Sequence, residues 1–377
     1  MNHLCIGELA AAIGGQLNLG SMPPMGGVWE PIRRITSHLE EVGPGDLFWA
    51  IDSDEWDDSR SGVAQAQQAF FQGAQGVVAD GVNVEPWAGG YSIRVEDAFE
   101  SLERFAAWSR DQFTGKLISV RGQNALAIVS AIHGVLSNTY HGQDGLRRAR
   151  SESAVGGWHA KDGGMRPSNP SGRLATIDHL MELASLDASW DYALLSIGSE
   201  DFSGEVTNSV LCHPDIAVIN CSHNSRREQP HESQWDSIPQ ATDGTQSCVA
   251  QEAYPDLSSR QFELLKSLGP NDWVVIHGNK ASRKMARDLN TQVVTVGEAE
   301  DCDLVAGNVR VVNDCLYYTV NGESIIVPGA SREDLSATLC ALAVGRIMGQ
   351  SLTEAIRELS KWRATESSQA PIAIQVA

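Results

Sequence analysis

The spacing of apolar positions changes near residue 115, and this change indicates two segments. In the first segment, apolar residues recur at helical spacing over 6–13, and Gly14-Gly15 ends that helix. The turn Gly43-Pro44-Gly45 leads into the apolar run 47–51, which is typical of a short buried strand. The same reasoning predicts helices over 63–72 and 98–113 and strands over 76–79 and 91–95.

From residue 116 onward, apolar runs of strand length alternate with helical patterns. A buried strand over 117–120 is followed by an apolar helix over 125–136. Four further runs of strand length cover 192–197, 215–220, 273–277 and 293–296. Because strands that alternate with helices usually pair in parallel, this pattern predicts a mostly parallel sheet that is covered on both faces.

The end of the second segment has a different pattern. Asn321-Gly322 separates two β-rich runs, 316–320 and 324–327, which is the strongest short-range signal of a β-hairpin. Two helices are predicted to follow, over 332–348 and 352–362. Both begin at sequences that resemble capping boxes, Ser331-x-x-Asp334 and Ser351-x-x-Glu354.

Together these elements predict an α/β fold with two domains. Residues 1–114 form a small N-terminal α/β domain. Residues 115–364 form a mostly parallel, doubly wound domain that ends in the β-hairpin and the two helices. Residues 141–172 are rich in Gly, Ser and Arg and lack periodicity, so we expect a mobile loop there. Residues 365–377 are expected to form a tail.

Composition excludes several classes of protein. The 377 residues include 28 Lys and Arg against 48 Asp and Glu, and a net charge of −20 does not provide the basic surface that nucleic acids require. No apolar run of about 18 residues occurs, and the N-terminus does not resemble a signal peptide, so no membrane insertion is expected. Seven scattered cysteines without a Cys-x-x-Cys pair indicate reduced thiols and a cytoplasmic protein.

A candidate phosphate-binding loop lies between the predicted strand 117–120 and the predicted helix 125–136. Its residues are Arg121, Gly122, Gln123, Asn124, Ala125, Leu126 and Ala127. A working loop needs glycines that expose backbone N–H groups, a Lys that neutralises the phosphates and a hydroxyl that holds Mg²⁺. Only Gly122 remains here, and Leu126 and Ala127 occupy the positions of the Lys and the hydroxyl. We therefore predict a structural turn with Leu126 and Ile128 buried; the alternative is weak anion binding at the helix N-terminus.

Three further groups of residues could carry chemistry: Cys212, His213, Cys221, His223 and His231; the acidic residues Asp52, Asp54, Glu55, Asp57 and Asp58; and Ser196 with Ser199. In the first group, the two cysteines fall at opposite ends of a predicted strand and cannot easily share a zinc ion. The acidic residues lack the ordered ligand spacing of a calcium loop. The two serines have no His partner in a nucleophile-elbow pattern. No metal site and no catalytic residue are therefore predicted.

Several short motifs follow one another in a characteristic order along the chain. They are EVGPGDLFWA (41–50), QGAQGVV (72–78), VED (95–97), AAW (106–108), DYALLSIG (191–198), PDIAVIN (214–220), and Pro328-Gly329 with the helix 336–348 and GQS (349–351). Their collinear order resembles that of the Mur ligases, an ATP-dependent family that adds amino acids or D-Ala-D-Ala to UDP-N-acetylmuramoyl peptides. The D-alanyl-D-alanine-adding type is the most similar. The resemblance covers nearly the whole chain and the first two of the family's three domains, and it implies that a counterpart of the third is not expected.

The resemblance implies a set of functional positions, and this chain departs from most of them. The Gly-Lys-Thr of the family's phosphate loop corresponds to Ala125-Leu126-Ala127. The other departures concern metal, uridine and adenine contacts: Ser196 at a magnesium-binding Glu, Arg226 near a metal-binding His, Arg260 or Gln261 near the carbamylated Lys, Leu39-Glu40 at the uridine-contacting Ser-Arg, and Ser331 and Leu335 near the adenine-side His and Asn.

These departures bear on catalysis, because phosphoryl transfer depends almost wholly on positioning and on charge neutralisation by Mg²⁺ and Lys. The resulting hypothesis is a catalytically inactive relative that needs no cofactor. It would bind or scaffold a true Mur ligase or another cell-wall-synthesis protein. Two alternatives stay open. One is an active ligase with an atypical site, which would use ATP and Mg²⁺ and be completed by another subunit; the other is a structural oligomer with an acidic docking face.

Overall fold

The computed structural model describes residues 4–51, 62–81, 83–140, 172–197, 213–221 and 259–362. The predicted mobile loop lies outside these residues except for Gly172, which begins a helix. The predicted tail, 365–377, also lies outside them. Within the described part of the chain, no helix has the length and the apolarity that a membrane crossing requires.

Two compact units make up the described chain. The first contains the residues up to Leu117 together with those between 172 and 195, and most of the remaining residues form the second. The predicted domain division at 114/115 stays a prediction. The elements up to residue 112 are α1 (Ile6–Ile13), β1 (Gln16–Asn18), β2 (Ile35–Thr36), β3 (Leu47–Trp49), α2 (Gly62–Gln72), β4 (Gly76–Asp80), β5 (Tyr91–Val95) and α3 (Ala98–Gln112).

The elements that follow carry the second and larger sheet. They are β6 (Lys116–Gly122), α4 (Ala125–Leu136), α5 (Gly172–Ala184), β7 (Tyr192–Ile197), β8 (Ile216–Asn220), α6 (Ser259–Ser267), β9 (Trp273–His277), α7 (Lys280–Arg287), β10 (Gln292–Gly297), β11 (Leu304–Val312), β12 (Cys315–Val320), β13 (Glu323–Pro328), α8 (Leu335–Ile347) and α9 (Leu352–Leu359). A short 3₁₀ helix, Arg332–Asp334, precedes α8.

The sheet of the first unit has the strand order β1-β5-β4-β3-β2. Only β1 is antiparallel to its neighbour, and the other pairs are parallel. Trp49 on β3 is fully buried and stacks on Phe105 of α3, with ring centroids 5.8 Å apart. The Trp49 indole N–H donates to the carbonyl oxygen of Ala98 at 2.8 Å, so this large side chain is buried without an unpaired donor.

The second sheet has the strand order β13-β12-β11-β10-β9-β8-β6-β7. Neighbouring strands from β6 through β8, β9 and β10 to β11 are parallel, whereas β11, β12 and β13 form an antiparallel meander. Asn321 and Gly322 join β12 to β13 with φ angles of 51° and 83°, the left-handed values of a type I′ turn. The predicted α/β class, the mostly parallel sheet and the hairpin are confirmed.

The structure differs from the sequence prediction mainly at short or charged elements. Strands β1 and β2 have three and two residues, too few to show a periodic pattern. Helix α7, with the sequence KASRKMAR, has only one large apolar residue, so its helical spacing is not visible. The helix predicted over 332–348 is divided, because the Ser331 capping box starts a 3₁₀ turn before α8 begins at Leu335.

Candidate functional site

The candidate site is the connection from β6 to α4 in the second unit, where the predicted strand, tight turn and helix are confirmed. Gly122 ends β6 with a φ angle of 107°, and a Cβ at this position would lie 1.9 Å from the carbonyl oxygen of Asn220. Glycine is therefore the residue that the close approach of β6 to β8 requires. Asn124 also has a left-handed conformation, with a φ angle of 60°, directly before α4.

A buried asparagine connects the loop to the rest of the sheet. The Asn220 amide nitrogen donates to the carbonyl oxygen of Gln123 at 2.7 Å and to the Ser336 hydroxyl at 3.3 Å. Its amide oxygen lies 2.8 Å from Nδ1 of His277. Asn220 and His277 end the parallel strands β8 and β9, so this polar cluster lies at the carboxyl edge of the sheet, where ligands of such folds usually bind.

The loop is also fixed by its own backbone and side chains. The Gln123 N–H donates to the carbonyl oxygen of Asn220 at 3.2 Å, so this N–H group is part of the sheet. The Asn124 side-chain amide donates to the carbonyl oxygen of Glu333 at 3.2 Å, in the 3₁₀ turn before α8. Two groups of the loop that could face a phosphate therefore contact protein instead.

The predicted burial of the side chains at the start of α4 is met only in part. Ala125 and Ile128 are buried, in agreement with the prediction for Ile128. Leu126 is only partly buried, as is Ala127, so the burial of this side chain is less complete than predicted. The helix packs on α8 and α9 through the stripe that contains Ile128, Ile132 and Val135, and Leu126 lies beside that stripe.

These residues do not fit Mg²⁺-bound ATP. Leu126 and Ala127 have neither the ammonium group nor the hydroxyl that would neutralise phosphate and hold the metal ion. The Gln123 N–H already has an acceptor within the protein. Among the seven predicted loop residues, Arg121 is half-buried, and Gln123 and Asn124 are exposed. The loop therefore has the backbone of a tight strand-to-helix turn but lacks the side chains that bind phosphate.

The structure places several other singled-out residues in structural roles. Ser331 and Asp334 form a capping box, in which the Asp334 carboxylate accepts from the Ser331 N–H at 2.8 Å. Leu335 is buried at the first position of α8. Ser196 is half-buried on β7. The other positions are spread over the chain: Leu39 and Glu40 lie in the 3₁₀ helix Leu39–Glu41, Arg260 and Gln261 lie in α6, and Arg226 lies outside the described residues.

The residues considered for zinc do not come together where the structure describes them. His213 precedes β8 and Cys221 follows it, and a five-residue strand at about 3.3 Å per residue separates them by roughly 16 Å. Cys221 is buried, and its N–H donates to the carbonyl oxygen of His277 at 2.8 Å. Cys212, His223, His231, Ser199 and the acidic run 52–58 lie outside the described residues. The described residues contain no group of three or more His, Cys, Asp or Glu that could hold a metal ion.

The comparison with solved structures identifies the fold. The chain superimposes on the UDP-N-acetylmuramoylalanyl-D-glutamyl-2,6-diaminopimelate–D-alanyl-D-alanyl ligase from Acinetobacter baumannii with a TM-score of 0.64 and 15% identity, over 95% of this chain and 68% of that one. This chain has a Mur ligase fold. MurF from Thermotoga maritima in complex with ADP matches with a TM-score of 0.57 and 14% identity, over 87% and 65% of the two chains. No protein-family model and no curated protein matches the sequence.

Within this Mur ligase fold, the residues that hold the loop in place were not predicted. Asn220 bonds the Gln123 backbone and the Ser336 hydroxyl, which lie 97 and 116 residues away in the sequence, and His277 contacts the Asn220 amide oxygen. A signal was available, since 215–220 and 273–277 were both predicted strands that end in a polar residue. Polar residues at the carboxyl ends of neighbouring parallel strands are expected to meet.

Proposed function

We propose that this Mur ligase-fold protein is a non-catalytic binding or scaffold protein. The observation that carries the proposal is the β6–α4 loop, in which Leu126 and Ala127 replace the cation and the hydroxyl of a phosphate loop. Phosphoryl transfer is catalysed by positioned charge, and removal of one such group typically costs about 2.7–4 kcal/mol of transition-state stabilisation. The proposed protein therefore lacks nucleotide turnover and requires no cofactor.

The names of the structural neighbours suggest the setting of this role. One neighbour is a ligase named for a UDP-N-acetylmuramoyl peptide and D-alanyl-D-alanine, and another is a MurF ligase solved with ADP. We infer that this chain acts beside such enzymes, in contact with a true Mur ligase or another cell-wall-synthesis protein. The loop supports the proposal that nucleotide binding has been lost, because the Gln123 N–H and the Asn124 side-chain amide donate to carbonyl oxygens of the protein.

The test compares the wild-type protein with the variant Ala125→Gly/Leu126→Lys/Ala127→Thr. Thermal unfolding is followed with and without Mg²⁺-ATP, because a ligand at 100 times its Kd stabilises the folded state by about 2.7 kcal/mol. We expect no shift for the wild type and none for the control Leu126→Ala, which changes the same side chain without adding a cation. The triple variant should recover nucleotide binding at most.

One result would establish the alternative of an active ligase. The backbone favours that alternative in one respect. Gly122 and Asn124 have positive φ angles in a tight strand-to-helix turn, which is the type of backbone that a phosphate loop uses. Turnover by the unmodified protein, assayed with a UDP-muramoyl peptide, Mg²⁺-ATP and a D-amino-acid dipeptide, would contradict the proposal. Phosphate release at the background rate supports it.

A further inference from the structure

Strand β13 is the last strand on one side of the second sheet, and within the described part of the chain it pairs only with β12. One row of its backbone N–H and C=O groups therefore faces away from the sheet. Residues 324–327 carry no charge, and Pro328 stands only at the end of the strand. Edge strands are usually protected by charges, by a bulge or by a covering segment, so the middle of β13 is suited to pairing with a further strand.

The two faces of β13 differ in burial. Ile325 and Val327 are almost completely buried, so the layer that covers the core side of the sheet extends as far as this edge. On the opposite face, Ile326 is 47% exposed. It lies opposite Tyr317 of β12, which lies opposite Arg310 of β11, and this row of side chains has no neighbour beyond Ile326 among the described residues. A further strand would cover Ile326 and add cross-strand contacts on both faces.

The end of the sequence contains a segment that suits such an edge. Residues 371–377 have the sequence PIAIQVA, in which Ile372, Ile374 and Val376 alternate with Ala and Gln. This period of two is typical of a strand with one apolar face. The segment contains no Asp, Glu, Lys or Arg, although 20% of the residues of the chain are charged. Proline is compatible with the first position of a strand, so the pattern predicts a strand that needs a sheet to bury its apolar face.

The connection between the described residues and this segment is long enough to reach β13. Trp362, the last described residue, is buried on α4, where its indole N–H donates to the Ser130 hydroxyl at 2.8 Å. Helix α9 begins beside the start of β13, because the Thr353 hydroxyl donates to the Glu323 carboxylate at 3.3 Å. A helical chain from Thr353 to Trp362 spans roughly 14 Å at about 1.5 Å per residue. Residues 363–370 span up to about 26 Å when extended, which covers the return to the start of β13.

We propose that residues 371–376 pair with the open edge of β13 as an additional strand of the second sheet. The shortest path enters at the start of β13, so the added strand runs parallel to it. Its Ile and Val side chains continue the buried row of Ile325 and Val327. Gln375 then lies on the outer face, beside Ile326. The inference goes beyond the proposed function, because it does not depend on whether the protein binds nucleotide.

Pairing within the chain is favoured over pairing with another molecule. A second copy that pairs through its own β13 would bring another net charge of −20 towards the first. A segment of the same chain needs no such approach, and a short connection gives it a high effective concentration at the edge. The pairing also removes two hazards at once, since an open edge and an uncharged β-type segment both promote aggregation when they are left exposed.

Hydrogen exchange of the full chain, followed by mass spectrometry, tests the pairing through the fragment 323–328. The variant Ile372→Asp/Ile374→Asp places two charges in the proposed strand, and the control Ser367→Asp/Ser368→Asp adds the same charges to the connection. We expect exchange in β13 to be about tenfold faster in the first variant than in the wild type, and unchanged in the control. The proposed strand itself should be protected in the wild type and should lose that protection in the first variant.

A second pair of variants places a charge on the sheet. Ile326→Asp changes a side chain beside the proposed strand, whereas Val312→Asp changes a side chain of β11 that is 46% exposed, almost as much as Ile326. Neither side chain belongs to the buried core, so circular dichroism should show an intact fold for both. We expect faster exchange over 371–376 in Ile326→Asp and none of this effect in Val312→Asp.

Three results would overturn the inference. Equal exchange over 323–328 in the wild type and in Ile372→Asp/Ile374→Asp would show that the segment does not cover β13. An equal effect of each variant and its control would show that added charge alone acts. Protection that rises with protein concentration, together with a dimer in sedimentation that Ile372→Asp/Ile374→Asp abolishes, would identify a second copy as the occupant of the edge.

Discussion

The close approach of two strands at Gly122 determines the shape of the candidate loop. Gly122 on β6 lies against the backbone of Asn220 on β8, and the Asn220 side chain then holds Gln123, Ser336 and His277. Each polar atom of that amide has a partner, so burial of Asn220 leaves no unsatisfied group. These hydrogen bonds tie the turn to neighbouring strands and to the start of α8.

Replacement of Gly122 should be much more costly than replacement of another glycine with a similar conformation. Gly322 in the β-hairpin also has a left-handed φ angle, 83°, but a Cβ there meets no atom within 4 Å. We expect Gly322→Ala to lower the free energy of unfolding by about 1 kcal/mol, the usual left-handed strain. Gly122→Ala adds the clash with the Asn220 carbonyl and should cost at least about 3 kcal/mol. Urea denaturation measures both, and equal costs would contradict the structure.

At this scale the sequence predicts types of residue better than contacts. Gly122 was predicted to lie in a tight turn, and Leu126 and Ala127 were predicted to remove the phosphate chemistry. The incomplete burial of Leu126 could not be deduced, because the stripe that α4 buries depends on where α8 and α9 lie. The Asn220–His277 bond joins residues 57 apart, and only the strand order brings them together.

Helix α8 is deeply buried in the second unit. Ten of its 13 residues are buried, from Leu335 to Gly345, and it packs against α4 and α9. A helix that is apolar on nearly all sides is typical of a core position. One residue of this helix, Cys340, is completely buried, and burial raises the pKa of its thiol to about 12.

The thiol of Cys340 should make stability depend on pH in the alkaline range. Its folded pKa lies above the unfolded value of about 8.5, so its contribution is complete below that pH and is lost as pH rises towards 12. At pH 9.5 the loss should reach about 1.4 kcal/mol. Urea denaturation from pH 7.5 to 9.5 should show a flatter curve for Cys340→Ala than for the wild type. The control Val344→Ala removes a buried, non-titrating side chain of the same helix and should shift the curve without changing its slope.

Elements were predictable where local chemistry decides them. Asn321-Gly322 favours a type I′ turn by conformation alone, and the Ser331 and Ser351 capping boxes mark helix starts through local hydrogen bonds. Strand β1 exists only because Leu17 pairs with Ile93 of β5, far along the chain. Such short strands depend on the pairing partner, which a local pattern does not contain.

Charge acts on the molecule as a whole. The net charge is −20, and residues 1–114 hold 17 acidic residues against six basic ones. The described carboxylates of this region include one in a close ion pair, Asp46, whose Oδ2 lies 2.7 Å from Nη2 of Arg34. Composition already indicated an acidic surface, and the structure adds where apolar side chains interrupt it. Uncompensated like charge destabilises a compact state, and salt screens it over a Debye length of about 8 Å at 0.15 M.

Stability of the whole protein should therefore rise with salt and with removal of surface carboxylates. Glu40, Glu96 and Asp111 are exposed in the first unit. We expect Glu40→Gln/Glu96→Gln/Asp111→Asn to raise the free energy of unfolding by roughly 0.5–1 kcal/mol at 20 mM NaCl, because like-charge repulsion falls. The gain should shrink at 200 mM NaCl, where screening already weakens that repulsion. Gln112→Glu, which adds one exposed carboxylate at the end of α3, should act in the opposite direction at low salt. Urea midpoints that do not depend on salt in any of the three proteins would contradict the argument.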